Sequence, residues 1–194
     1  MHIFNAVRLA HRWVNRKLGR PNKLQSPDRK VLEGVIFPHL EKEMKPARVL
    51  FVGCDWYSEH YHKFFSGEFI TIDFDESKKV YGGEHHVVAR LENIDKYIAN
   101  NSIDLIVCYG VFGWGLNDIK TIESAFEKCF NILKSGGIFI LGWNDLPIYR
   151  PCHPDELESL KLFKKYNFAP LGGSEYAENT SKQVRVNFFH KFIS

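Results

Sequence analysis

Gly53 and Asp73 stand 20 residues apart; Gly53 follows an apolar run, residues 49–52, and Asp73 follows an expected second strand, residues 69–72. A run of four apolar residues, rich in β-branched and aromatic side chains, suits a strand covered on both faces. The glycine lets the backbone come close to a ligand at the carboxyl end of that strand. A carboxylate at the end of the neighbouring strand is an acceptor matched to the two hydroxyls of a ribose. An aspartate at a strand end can equally serve as a turn or cap residue, as Asp75 can. A second group lies far downstream: Asp145, Arg150 and His153 sit on or beside a proline-spaced loop, residues 147–154. That loop leaves the carboxyl edge of a later strand, where open α/β sheets place their ligands. Asp145 and His153 are there candidates to take a proton from a hydroxyl acceptor.

Two stretches carry a family resemblance. RVLFVGCDWY, residues 48–57, resembles the first motif of the class I S-adenosylmethionine-dependent methyltransferases, a strand of the form V-L-D-x-G-x-G-x-G with Gly53 at its first glycine. Phe51 occupies the family's acidic position within the strand, and Asp55 and Tyr57 stand at the two later glycines. LKSGGIFIL, residues 133–141, resembles the family's passage into its fifth strand, commonly L-K-P-G-G. The resemblance covers residues 26–194 and implies that Gly53, Cys54, Asp55, Tyr57, Asp73, Phe74, Leu91, Tyr109 and Gly110 surround S-adenosyl-L-methionine. Arg90 falls where the family often has an acid for the adenine amino group. Since arginine accepts no hydrogen bond, adenine recognition passes to backbone, Leu91 or Glu92.

The resemblance implies methyl transfer to a small-molecule, saccharide or lipid-linked acceptor, with oxygen slightly preferred over nitrogen. In YGVFGWGLND, residues 109–118, the acid or asparagine with two prolines and an aromatic that marks methylation of DNA or protein glutamine is missing. Phe112 and Trp114 are read there either as a wall against the ligand or as core. A nicotinamide-dependent oxidoreductase would need G-x-G-x-x-G after the first strand, which Gly53 does not begin. The alternative from a different class is a non-catalytic binding or scaffolding protein on a degenerate methyltransferase fold, which Phe51, Asp55, Tyr57 and Arg90 favour.

The elements that must position these residues alternate strand and helix five times, which implies a mostly parallel sheet with helices on both faces. The expected fold is α/β: a Rossmann-like, doubly wound, three-layer α/β/α domain with a mostly parallel seven-stranded sheet and a C-terminal antiparallel hairpin. Strands are expected at 49–52, 69–72, 85–89, 102–108 and 138–141, and a hairpin from 168–171 and 184–192. Helical patterns cover 59–65, the stretch from Asn117 or Asp118 to Leu133, and 154–166. A helix opening at Ser26-Pro27-Asp28 precedes the first strand, and Pro38 is expected to kink or end it near Phe37.

Residues 1–25 are read as an amphipathic helix and linker, and 26–194 as the methyltransferase-like domain. Ile3, Val7, Ala10, Val14 and Leu18 recur at helical spacing, with Arg8, Arg12, Arg16, Lys17 and Arg20 away from that stripe. The favoured reading packs this helix on the domain, or over its active site as a lid, with its arginines in solvent; a peripheral membrane role is the alternative.

With 194 residues, 44% hydrophobic, the chain has the length of one domain with one core. A net charge of +3 argues weakly for nucleic acid, which is an unlikely partner. Cys54, Cys108, Cys129 and Cys152 form no C-x-x-C pair, which fits a reducing, cytoplasmic setting and implies no metal site. His60 and His62, two apart on a helix, would point in different directions and are read as packing or solvent histidines. No stretch is long and apolar enough for a membrane span. The oligomeric state stays open.

Overall fold

The computed structural model describes residues 2–178 and 180–192, and of the first helix the side chains from Ala10 onward. Strand β1 (Arg48–Val52) is buried from Val49 onward. It lies between β2 (Glu68–Asp73) and β4 (Ile103–Tyr109), parallel to both. With β3 (His85–Val88), β5 (Leu133–Asn144), β6 (Lys164–Lys165), β7 (Glu175–Ala177) and β8 (Val184–His190), these strands make an eight-stranded sheet. The order is β3-β2-β1-β4-β5-β8-β6, with β7 also on β8. The first five strands run parallel; β8 is antiparallel to β5, β6 and β7.

The period of two along each strand divides the core. Leu50, Val52, Ile106 and Cys108 pack with α4 (Ile119–Ile132) on one face. Val49, Phe51, Leu105 and Val107 face the helix before β1 on the other. That helix comprises α2 (Pro27–Val31), a π-turn (Leu32–Ile36) and α3 (Phe37–Met44) in unbroken succession. Pro38 therefore neither ends it nor breaks it. A proline lacks the N–H of a regular turn, and the wider turn just before it lets the helix continue.

Three crossovers differ from the helical patterns of the sequence. Residues 53–67 form turns and a 3-10 helix (Tyr61–Phe64), and 3-10 helices (Glu76–Tyr81, Leu91–Lys96) also fill the next two connections. Among the described residues α4 is the one full α-helix between parallel strands. After β1 the reason is local: Asp55 and Ser58 exchange bonds, with the Asp55 N–H donating to Ser58 Oγ at 2.9 Å and that hydroxyl to the Asp55 carbonyl at 2.9 Å. Such side-chain bonding competes with helix.

The helix expected over 154–166 is also replaced, by a 3-10 turn (Pro154–Glu156), α5 (Glu158–Lys161) and β6. In the terminal hairpin β8 pairs with β7, which lies between the two expected strands, while 168–171 gives a 3-10 turn (Ala169–Leu171). Pro170 cannot donate to a ladder, and Gly172 at φ 77° turns the chain.

At the far end of β8 the chain ties two elements together. Lys191, 4% exposed, donates from Nζ to the carbonyls of Phe130 and Leu133 at 2.9 Å each and to Asn101 Oδ1 at 2.7 Å. The ammonium thus caps the C-terminal end of α4, where the helix dipole favours a cation. Lys191→Met strands those three acceptors. It should lower unfolding free energy by about 2–3 kcal/mol and the thermal midpoint by roughly 5–10 °C, read by calorimetry.

Candidate active site

The strand order reverses between β1 and β4, and a cavity of about 240 Å³ opens there at the carboxyl ends of the strands. The structure brings all nine residues named for the cofactor to its walls: Gly53, Cys54, Asp55, Tyr57, Asp73, Phe74, Leu91, Tyr109 and Gly110. Gly53 has φ +83°, and a Cβ there would stand 2.5 Å from Val111 Cγ2, so any side chain would push into the wall.

Asp73 ends β2 beside this loop. Its Oδ2 accepts the Cys54 N–H at 2.8 Å and its Oδ1 the Asp75 N–H at 2.9 Å. Each oxygen accepts one such bond, and a carboxylate has about four acceptor sites, so a diol can still bind. The carboxylate is at once a brace for the glycine loop and an acceptor facing the cavity. Asp55 is held by Lys78, Nζ to Oδ2 at 3.0 Å. Cys54 is a buried neutral thiol: burial, then the neighbouring Asp73 charge, pushes it up to about 12. That removes it as a nucleophile.

The far wall consists of Ala89, Arg90, Leu91 and Glu92. The Arg90 guanidinium lies 5.3 Å from the Phe74 ring centroid, so the departure from an acid at this position builds a cation-π pair on the rim. Phe51 likewise has a packing reason. It sits edge-on to Tyr61, centroids 5.3 Å apart, and stacks on Phe69 at 6.1 Å, in the aromatic core beneath α3.

A second cavity, about 320 Å³, adjoins the first and shares Asp55, Tyr57, Tyr109, Gly110 and Trp114 with it. Trp114 is exposed, stacks on Tyr149 with centroids 4.7 Å apart and donates its indole N–H to Asn144 Oδ1 at 3.0 Å. Phe112 belongs instead to the core, stacked on Phe126. Trp143 and Asn144, from the end of β5, line the second cavity's opposite side.

Asp28 and Arg29 complete that cavity from the first turn of α2. Both are buried, 7% and 4% exposed. The Arg29 guanidinium sits 4.8 Å from the Tyr57 ring and 4.5 Å from the Tyr109 ring, donates to the Tyr61 hydroxyl at 3.3 Å and lies 3.7 Å from Asp28. Burial, then the Asp28 charge, holds the Tyr109 phenol well above its usual range, and burial raises Tyr57 as well. Both phenols are therefore neutral at physiological pH. Among the described residues the Tyr109 hydroxyl makes no hydrogen bond of good geometry, and the acid it stands nearest is Asp28.

Asp28 and Arg29 were hidden in the sequence because an aspartate after Ser-Pro reads as helix-start chemistry. Only their burial sets them apart. Asp145 and His153 stand elsewhere. Asp145 is clasped by Arg150 at 2.6 Å and Arg185 at 3.4 Å, and His153 closes a capping box over the turn at Pro154. Neither lines the two cavities. His60 is buried against Glu33 at 3.3 Å, and His62 is exposed on its own turn.

The family described as "Methyltransferase domain" matches residues 50–141. Among solved structures, a TehB-like SAM-dependent methyltransferase from Corynebacterium glutamicum is 20% identical. The alignment covers 96% of this chain and 98% of that one, with TM-score 0.62. The N-methyltransferase NodS from Bradyrhizobium japonicum, in complex with S-adenosyl-L-homocysteine, is 14% identical over 86% of this chain and 89% of its own, with TM-score 0.64. No curated protein matches the sequence. The matched segment holds most of β1, all of the Asp73 strand and β4, and β5 as far as Leu141, so residues 50–141 match the methyltransferase-domain family model and the chain as a whole shares the fold of these methyltransferases.

Proposed function

We propose that the protein is an enzyme that transfers the methyl group of S-adenosylmethionine to a small-molecule acceptor, a hydroxyl in preference to an amine, held in the second cavity. The observation that carries this is the pair of cavities meeting at Tyr57, Tyr109 and Gly110. One has a carboxylate suited to a ribose and a left-handed glycine. The other has aromatic walls, an amide and a buried acid, a lining suited to a saccharide or other polyol.

The fit to the cofactor rests on Asp73, on the space at Gly53 and on the acids Asp55, Asp75 and Glu92 around a ligand that carries a sulfonium. Phe74 and Leu91 offer apolar surface for a base, and Arg29 is the buried cation nearest Gly110 for a carboxylate. NodS, which shares the fold, was solved in complex with S-adenosyl-L-homocysteine, which supports a ligand of this class. Bound S-adenosylmethionine supplies an electrophilic methyl carbon. The protein must then hold the acceptor in line with it and accept the proton that a hydroxyl loses.

Of the titratable groups lining the second cavity, Tyr57 and Tyr109 are neutral phenols, Arg29 and Lys182 are cations, and Asp55 is paired with Lys78. Asp28, whose cationic neighbour Arg29 stands at 3.7 Å where Lys78 holds Asp55 at 3.0 Å, is the less tightly paired carboxylate and the one we assign to take the proton. The Tyr109 hydroxyl, without a well-formed hydrogen bond among the described residues, is a donor for the acceptor or for Asp28.

Calorimetry with S-adenosylmethionine should give micromolar binding. A panel of hydroxylated and aminated small molecules should then release S-adenosyl-L-homocysteine with the hydroxylated members faster. A folded protein that binds neither cofactor nor product overturns the proposal, and faster turnover of amines overturns the preference for oxygen.

A further inference from the structure

Helix α1 (His2–Lys17) meets the domain through the wrong face for a packed amphipathic helix. The Arg12 guanidinium lies 3.5 Å over the Trp56 ring, and Arg16 pairs with Glu59 at 2.8 Å and donates to the Val80 carbonyl at 2.8 Å. Asn15 donates to Asn22 Oδ1 at 3.0 Å, and Asn22 returns a bond to the Arg12 carbonyl at 3.1 Å. At 100° per residue Arg12, Asn15 and Arg16 occupy one sector, and Ala10, Trp13, Val14 and Leu18 fall outside it. Those four are exposed, Trp13 by 62% and Leu18 by 59%. Among the described residues the stripe expected against the domain is exposed at Ala10, Trp13, Val14 and Leu18, and Arg12 and Arg16 expected in solvent make the contacts to the domain, while Arg20 is exposed as expected; Ile3, Val7 and Arg8 have side chains outside the described residues.

We propose that this outward face of α1 docks on an anionic lipid bilayer. Charge selects the occupant. Residues 1–25 contain six Lys and Arg and no Asp or Glu, whereas the rest of the chain has 20 against 23 and is net acidic; Arg12, Arg16 and Lys23 are taken up by Trp56, Glu59 and Glu33, and Lys17 and Arg20 are the exposed cations beside the stripe. A tryptophan, aliphatic residues and flanking cations form the pattern of a helix lying in a headgroup layer. Lys17, its ammonium 5.7 Å from the Trp13 ring, and exposed Arg20 stand beside the stripe, placed to reach phosphates while Trp13 and Leu18 enter the interface. A second copy of the chain fits less well. Three large side chains fall short of the ~800 Å² per partner that a stable dimer buries, and two such cationic segments would repel. The groove under α1 shares Leu24 with the second cavity, so a docked helix would bring the bilayer to the side from which that cavity is lined.

The test is flotation of the full chain with phosphatidylcholine vesicles, with and without phosphatidylserine. The protein should float with the anionic vesicles and stay behind with the neutral ones, and added salt should release it. A Trp13→Glu/Leu18→Glu variant, altered at exposed positions, should lose roughly tenfold or more in partitioning, and Lys17→Glu/Arg20→Glu should lose the lipid-charge preference. Absence from anionic vesicles at low salt, or flotation undiminished in the Trp13/Leu18 variant, overturns the proposal. So does a dimer in the absence of lipid that this variant abolishes. S-adenosyl-L-homocysteine binding, measured in parallel, keeps this outcome separate from that of the proposed activity.

Discussion

Asp28→Asn is expected to lower turnover of a hydroxyl acceptor by about 100- to 10,000-fold, the usual contribution of a positioned general base, with product binding retained. The substitution keeps the size of the side chain and an oxygen toward Arg29, and removes the negative charge that a departing proton requires. Because Asp28 is buried beside Arg29, its melting point must be followed as a control. An amine acceptor attacking as the free base needs less help, so the same variant should be only mildly impaired with amines. Equal activity of variant and parent toward hydroxyl acceptors would remove Asp28 from the mechanism and leave it as the counter-ion of Arg29.

Asp73→Ala should weaken binding of S-adenosylmethionine and of its product by roughly 100- to 10,000-fold. Two hydrogen bonds to a charged acceptor, at about 1.5–3 kcal/mol each, set that range. The variant also frees the N–H groups of Cys54 and Asp75, so part of the loss comes from a loosened glycine loop. Asp73→Asn separates the two contributions. It can still brace one N–H through its amide oxygen but offers fewer acceptors to a diol, and should fall between parent and alanine. Affinity unchanged by Asp73→Ala, with the fold intact by circular dichroism, would end the assignment of this carboxylate to a ribose.

Much of this architecture is legible in the chain because buried parallel strands leave a strong imprint. The apolar runs at 49–52 and 105–108 read as buried strands, and the spacing from Gly53 to Asp73 follows from two adjacent strands and one crossover. What lies between strands left a weaker trace. Residues 59–65 and 154–166 have helical spacing of apolar side chains, but the Asp55–Ser58 turn just before the first, the His62 bond to the Glu59 carbonyl within it and the His153 capping box before the second favour tighter turns, and periodicity cannot weigh one against the other. The acceptor side was least legible. Asp145 and His153 occupy the expected loop, yet Arg150, Arg185 and a capping box take them up, while the buried acid Asp28 comes from the helix before β1, 25 residues ahead of Gly53. α1 was misjudged for a related reason: a hydrophobic stripe tells which side of a helix is apolar, not what it is turned toward.

The order of strands has a cost during synthesis. β8 is made after every strand it joins, yet it supplies the antiparallel neighbour along Ile138–Asn144 of β5 and anchors both β6 and β7. Until it emerges from the ribosome, β5 presents a row of unsatisfied amides flanked by Ile138, Phe139, Ile140 and Leu141, a template for pairing with a neighbouring nascent chain.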